Sequence, residues 1–179
     1  DYMNMLIASA KAKAGLNRIA LIYPNTEFSR EVAEGVSIQA VEHAMNIVFD
    51  AEYRFEHPNF SGLVKRMLPT NPEIVIGATY LKDSVAFMRE AKQQQLLPKA
   101  FAFTVGPALP EFGHQLGPDA DGVLGVVAWM YSGNIPMAHD FSYRFKQKFG
   151  HNAGVHAAYG YGAGQVLEAG VRLAGSLDK

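Results

Sequence analysis

Few residues of this chain are placed to do covalent chemistry. The six histidines (His43, His57, His114, His139, His151, His156) show no metal-ligand spacing except His151 with His156. A pair at i, i+5 does not share one helical face. Cys is absent, which removes thiol nucleophiles, thiolate zinc sites and disulfide scaffolds. No serine elbow, phosphate loop or paired-histidine zinc motif occurs. Gly160-Tyr161-Gly162-Ala163-Gly164 resembles a dinucleotide loop only superficially, because the third glycine is misplaced and a helical pattern precedes it. Receiver-type phosphoacceptor chemistry needs an Asp at a strand end and an acidic pair after the first strand, where this chain has Asn25 and Glu27. The expectation is therefore no catalytic set, no metal and no cofactor. What recurs instead is aromatic and small hydroxyl residues: Thr26, Phe28, Tyr80, Thr104, Trp129 and Tyr131, with Gly106 beside them. Such residues suit non-covalent recognition, with apolar walls and a few orienting polar groups. The same types also staple loops onto a core, a role open to Phe28 and Trp129.

These residues fall at or just after the ends of apolar runs of strand length. The runs are Arg18–Tyr23, Asn46–Phe49, Ile74–Ala78, Ala100–Thr104 and Val123–Trp129. Most are apolar at successive positions, which fits strands buried on both faces of a parallel sheet. Helical patterns alternate with them. One spans about Tyr2–Ala14 and closes on Gly15, and a second spans Ser29–Met45 with Val32, Val36, Val41 and Met45 as its stripe. A third carries Phe60, Leu63, Val64 and Met67 behind an Asn59 cap, and a fourth covers Lys82–Leu97. The order α-β-α-β-α-β-α-β-(short α)-β implies right-handed crossovers and an open, doubly wound α/β sheet of three layers. In such sheets ligands bind outside the carboxyl ends of the strands, which selects the loops holding Thr26, Phe28, Tyr80, Thr104, Gly106 and Trp129.

The tail differs. Met137, Phe141, Phe145 and Phe149 recur every four residues, and Val155–Ala174 is a helical pattern rich in Gly and Ala. Glycines there weaken a helix unless close packing against another backbone offsets them. The expected division is an α/β lobe over residues 1–130 and a helical extension over 131–179. The chain has 179 residues, 49% apolar and 18% charged, with a net charge of −1. This excludes a disordered chain, and the balanced charge leaves no basic footprint for nucleic acid. No apolar run approaches the roughly 20 residues that span a bilayer, and the opening residues do not form a signal peptide. The chain reads as a piece of a longer protein.

The stretch 18–31 (RIALIYPNTEFSRE) is similar to the opening of the second lobe in leucine-type periplasmic substrate-binding proteins of ABC importers. Pro58-Asn59-Phe60-Ser61-Gly62-Leu63-Val64 resembles their Asn/Asp-Phe-Ser helix start. Ala78-Thr79-Tyr80, Phe87–Lys92, Gly122-Val123-Leu124-Gly125 and Ala158–Ala163 continue the likeness in order. The resemblance implies the type I periplasmic-binding fold, of which this chain is mainly one lobe. A small ligand is then held between this lobe and an N-terminal one, and the partners are permease subunits, with no nucleic acid and no membrane insertion. It implies a periplasmic or extracytoplasmic location, and weak or no binding by the 179-residue chain alone. By position, Phe28 and Tyr80 match ligand-lining aromatics. Thr104 matches, within about one residue, the place where leucine-type members carry an acid for the ligand's amino group. Burying an ammonium without an acid or aromatic face is costly, so an aromatic acid, an amide or another small organic solute is as open as an amino acid. The alternatives are a ligand-sensing domain of the same fold, and an enzyme on a flavodoxin-like sheet.

Overall fold

The computed structural model describes residues 3–127, 129, 130 and 135–177. Its elements follow the expected alternation: α1 (Asn4–Ala14), β1 (Arg18–Pro24), α2 (Glu27–Glu42), β2 (Asn46–Tyr53), α3 (Phe60–Met67), β3 (Ile74–Gly77), α4 (Leu81–Gln93), β4 (Ala100–Phe103), α5 (Pro110–Leu116), β5 (Leu124–Gly125), α6 (Ala138–Phe149) and α7 (Val155–Ala174). The chain divides into two compact units, Asp1–Val126 and Val127–Lys179.

The first unit is built on a parallel five-stranded sheet of order β2-β1-β3-β4-β5. Alternate side chains of the central strands enter opposite cores. Ile19, Leu21, Ile74, Ile76 and Ala102 pack with Ile7 of α1 and Val32 and Val36 of α2. Ala20, Ile22, Val75 and Phe103 pack with Phe60, Leu63, Val64 and Met67 of α3, Phe87 of α4 and Phe112 of α5. Each such Val, Leu, Ile, Met or Phe side chain contributes on the order of 1.5–3 kcal/mol on burial, so the two faces together need helices on both sides. Local signals set the helix ends as expected. Asn59 Oδ1 accepts from Gly62 N at 2.9 Å to start α3, and Gly15 closes α1 at φ 64°.

Three expectations are corrected. The stripe on α2 does not include Val41, which is 80% exposed. Successive residues turn by about 100°, so Val32, Val36 and Ala40 share a face and Val41 lies opposite. Met45 is buried, but beyond the helix end. The second strand runs on to Tyr53, because its far half, with Ala51 and Tyr53 buried and Asp50 and Glu52 exposed, alternates as a half-buried edge strand does. The fifth strand is only Leu124–Gly125. Its partner β4 ends at Phe103, so pairing stops after Phe103↔Gly125.

In the second unit, Phe141 packs on Phe145 (5.8 Å between centroids), Tyr161 (4.8 Å) and Trp129 (5.6 Å), and Phe145 packs on Phe149 (4.5 Å). On α7 only Val155 is buried. A Cβ at Gly160, Gly162, Gly164 or Gly170 would meet nothing within 4 Å, so the close backbone contact expected there is not supplied by the described residues.

The amino ends of the strands are clamped by Glu73. Its carboxylate accepts from Asn17 N (2.7 Å), Arg18 N (3.2 Å) and Lys99 Nζ (2.8 Å), which join the starts of β1, β3 and β4. The Lys99 bond, and then the Asn17 amide, hold the Glu73 carboxyl below its ordinary value. A lowered folded-state pKa gives stability that is present above the unfolded value and lost as pH falls through the folded one. The stability gap between wild type and Glu73→Gln, measured by urea unfolding, is therefore expected to be open at neutral pH and to close as pH drops below the ordinary carboxylate range. A gap that widens in acid contradicts the clamp.

Candidate functional site

From β1 the winding steps to β2 on one side, then returns across to β3, β4 and β5 on the other. Crossovers of one hand put α2 on one face and α3, α4 and α5 on the other, and α1 packs on the α2 face. The loops at the carboxyl ends of β1 and β3 therefore part at a switch point, where open sheets hold ligands.

Thr26 and Tyr80 stand on the two sides of this point. Thr26 caps α2, accepting from Ser29 N at 3.4 Å, and its hydroxyl lies 3.4 Å from that of Tyr80. Tyr80 is the N-cap residue of α4 and makes no side-chain cap bond. The ring meets Phe28 at 6.2 Å (tilted) and Phe55 at 5.3 Å (edge-on). Phe28 also leans on the α2-side core, so it combines the two roles its type allowed. The loop after β2 is tied in by the backbone. Asn25 N donates to Tyr53 O at 2.9 Å, and Phe55 N donates to Asn25 Oδ1 at 3.0 Å. Asn25, Thr26, Arg54, Phe55, Glu56 and His57 line an open depression of about 540 Å³.

Beneath this rim lies a buried polar pair. Tyr53 Oη donates to Asp83 Oδ2 at 2.7 Å, joining the end of β2 to the first turn of α4. Burial pushes the Asp83 carboxyl up, and the Tyr53 bond pulls it partly back. Burial, followed by the bond to Asp83, also raises the Tyr53 hydroxyl.

Thr104 and Gly106 sit deeper than expected for ligand contacts. Thr104 is fully buried, and its hydroxyl donates to Thr79 O at 2.7 Å, so it braces the β3 and β4 ends against each other. Gly106 is also buried, and a Cβ there would overlap Ser84 Oγ. Both shape the site from below. Trp129 belongs to the second unit, where it packs on Phe141, and Tyr131 lies outside the described residues. The rim thus brings together Thr26, Phe28 and Tyr80 of the expected set. It adds Arg54, Phe55 and His57, which follow a strand whose full length was not anticipated. The alternation Asp50-Ala51-Glu52-Tyr53 is the signal that marks that strand end and the loop after it.

Among the described residues, no group of three His, Asp or Glu could hold a metal ion, and no helix is long and apolar enough to cross a membrane.

Residues 2–179 match the family model described as periplasmic binding protein. The chain is 24% identical over 159 residues to Leu/Ile/Val-binding protein homolog 7 of Brucella abortus, covering 85% of this chain and 40% of that one. A type 1 periplasmic binding protein from Bordetella pertussis superposes with a TM-score of 0.85 at 20% identity, over 99% of this chain and 50% of that one. An ABC-transporter solute-binding protein from R. palustris, solved in complex with benzoate, superposes with a TM-score of 0.76 at 20% identity, over 94% of this chain and 46% of that one. At such identities the structural likeness establishes the fold: a parallel α/β lobe of the type I periplasmic-binding kind. The chain spans about half the length, or less, of these relatives.

Two substitutions test the support beneath the rim. Tyr53→Phe leaves the buried Asp83 carboxylate without its donor, and is expected to cost about 1–3 kcal/mol of unfolding free energy. Gly106→Ala drives a methyl into Ser84 and is expected to cost about 1–3 kcal/mol. Denaturant midpoints unchanged from wild type would show that neither group carries strain or load.

Proposed function

The chain belongs to the periplasmic binding protein family, and from that premise we propose that it forms one wall of a solute-binding cleft in the receptor of an ABC importer. The observation that carries this reading is the cluster of Phe28 and Phe55 against Tyr80, whose hydroxyl meets that of Thr26, at the switch point of the sheet. Three aromatic edges and faces offer a small organic solute apolar cover, and two hydroxyls offer it orientation. A second lobe closing over this rim about a hinge would exclude water from the solute. Binding is the whole task in this reading: the solute leaves unchanged, passed to permease subunits on the extracytoplasmic side of the membrane.

The solute class we propose is a branched-chain amino acid or an aromatic acid. Two similarities support that range: the Brucella abortus relative is named for Leu, Ile and Val, and the R. palustris protein holds benzoate. Thr104 carries no charge and is turned inward, which leaves an ammonium group without a partner at that point and favours the aromatic acid.

A thermal-shift and calorimetric screen of the full-length gene product against leucine, valine, benzoate and benzamide tests the reading. A ligand at 100 times its Kd stabilises the folded form by about 2.7 kcal/mol, a readily measured shift in Tm. Tyr80→Ala removes the ring that joins the cluster, and is expected to weaken binding roughly tenfold or more, beside a fall in the Tm of the unliganded protein from the lost ring contacts. Absence of binding to every solute at millimolar concentration, or a Tyr80→Ala variant that binds like wild type, overturns it.

A further inference from the structure

The depression beside the aromatic cluster has a charge character that the aromatic residues do not explain. Arg54 lines it and makes no hydrogen bond or ion pair with any described residue. Arg66, which lies over the Phe49 ring, shares this, whereas Arg18, Arg30, Arg89, Arg144 and Arg172 each bond a carboxylate or carbonyl. Asn25 spends its side-chain oxygen on Phe55 N, and this leaves its Nδ2 group as an unused donor on the same rim. His57 lines the depression as well, and is shared with an adjoining hollow lined by Arg54, Asn59 and Arg66. Donors therefore dominate, and Glu56 is the one carboxylate among the lining residues.

The loop that carries Arg54 is not an arbitrary stretch of surface. Tyr53 before it is buried and bonded to Asp83, and Phe55 after it is bonded to Asn25 and packed edge-on against Tyr80 at 5.3 Å. Arg54 is thus set between two anchored residues, next to the ring cluster. A planar guanidinium with an open fork matches a carboxylate in two parallel hydrogen bonds, and a rigid anchor reduces the entropy lost in making them.

We propose that Arg54 is the residue of this lobe that receives the solute's carboxylate, with the Asn25 amide beside it, so that the site selects organic acids over their neutral amides. This rests on the cleft reading given above and assigns the polar end of the same site. The apolar body of the acid then lies toward Tyr80 and Phe55, and its anionic end toward Arg54. Glu56 repels a second negative charge, so monoacids are favoured over diacids.

The test uses the full-length protein, with benzoate and leucine as probes and benzamide and leucinamide as their neutralised counterparts, by titration calorimetry. Wild type is expected to bind at least one acid, with the matching amide weaker by roughly 10- to 100-fold. Arg54→Gln is expected to lose that same factor for the acid and to leave amide binding unchanged, which removes the preference. Arg54→Lys restores part of the acid affinity, because the charge returns without the fork. If Arg54→Gln binds the acid within twofold of wild type while Tyr80→Ala does not, the Arg54 assignment fails and the cleft reading stands. If neither variant matters, or if wild type binds none of the four probes, both fail.

Discussion

The structure depends on one constraint: a parallel sheet whose central strands are apolar on both faces cannot leave either face in water. Ile19, Ala20, Leu21 and Ile22 are all fully buried, as are Ile74, Val75 and Ile76. Adjacent residues of one strand point to opposite sides, so each strand demands a helix above and a helix below. Crossovers of a single hand can meet that demand only if the chain reverses its direction of travel across the sheet, and here it does so between β1 and β3. The crevice at that reversal is thus a by-product of burying the strands, and it exists before any residue is chosen to line it.

Much of this was legible from residue order. The alternation of elements, the α3 stripe with its Asn59 cap, and the Gly15 stop each rest on a local interaction that a sequence displays. Other features rest on position within the sheet, which a sequence displays only indirectly. The far half of β2 is no continuous apolar run, because an edge strand alternates. The loop of Arg54 and Phe55 that follows it is hidden with it. Val123–Trp129 is as apolar as any central strand, yet only two residues pair, because the length of β4 limits them. Thr104 was located correctly at a strand end, but whether its hydroxyl faced outward depended on the carbonyl of Thr79, twenty-five residues earlier in the chain.

The rim of the site is held together by hydrogen bonds of backbone groups and short polar side chains beneath it. The loop after β1 is bonded to the end of β2 and to the residue beyond it through Asn25. The loop after β3 is tied to β4 through Thr79 and Thr104, and to β2 through the Tyr53–Asp83 pair. The aromatic side chains above these bonds are therefore carried on a prearranged frame. A solute entering such a site orders few additional groups, so more of its contact energy remains as affinity. The buried carboxylate of Asp83 fits the same logic. It is costly to place there, and its one described partner is the residue that fixes where the Arg54 loop departs.

The position of β2 at the border of the sheet has a colloidal consequence. One flank of that strand presents unpaired backbone groups, which in general invite a strand from another molecule. Here the outward residues near its end are Asp50 and Glu52, both exposed, with Arg30 reaching Glu52 at 2.6 Å from α2. Two copies approaching border to border would bring these charged side chains together, one of the devices that blunt an edge strand. The same alternation of buried and charged residues therefore discourages ribbon-like stacking of one copy on another, in a protein whose other sheet border, at β5, is only two residues long.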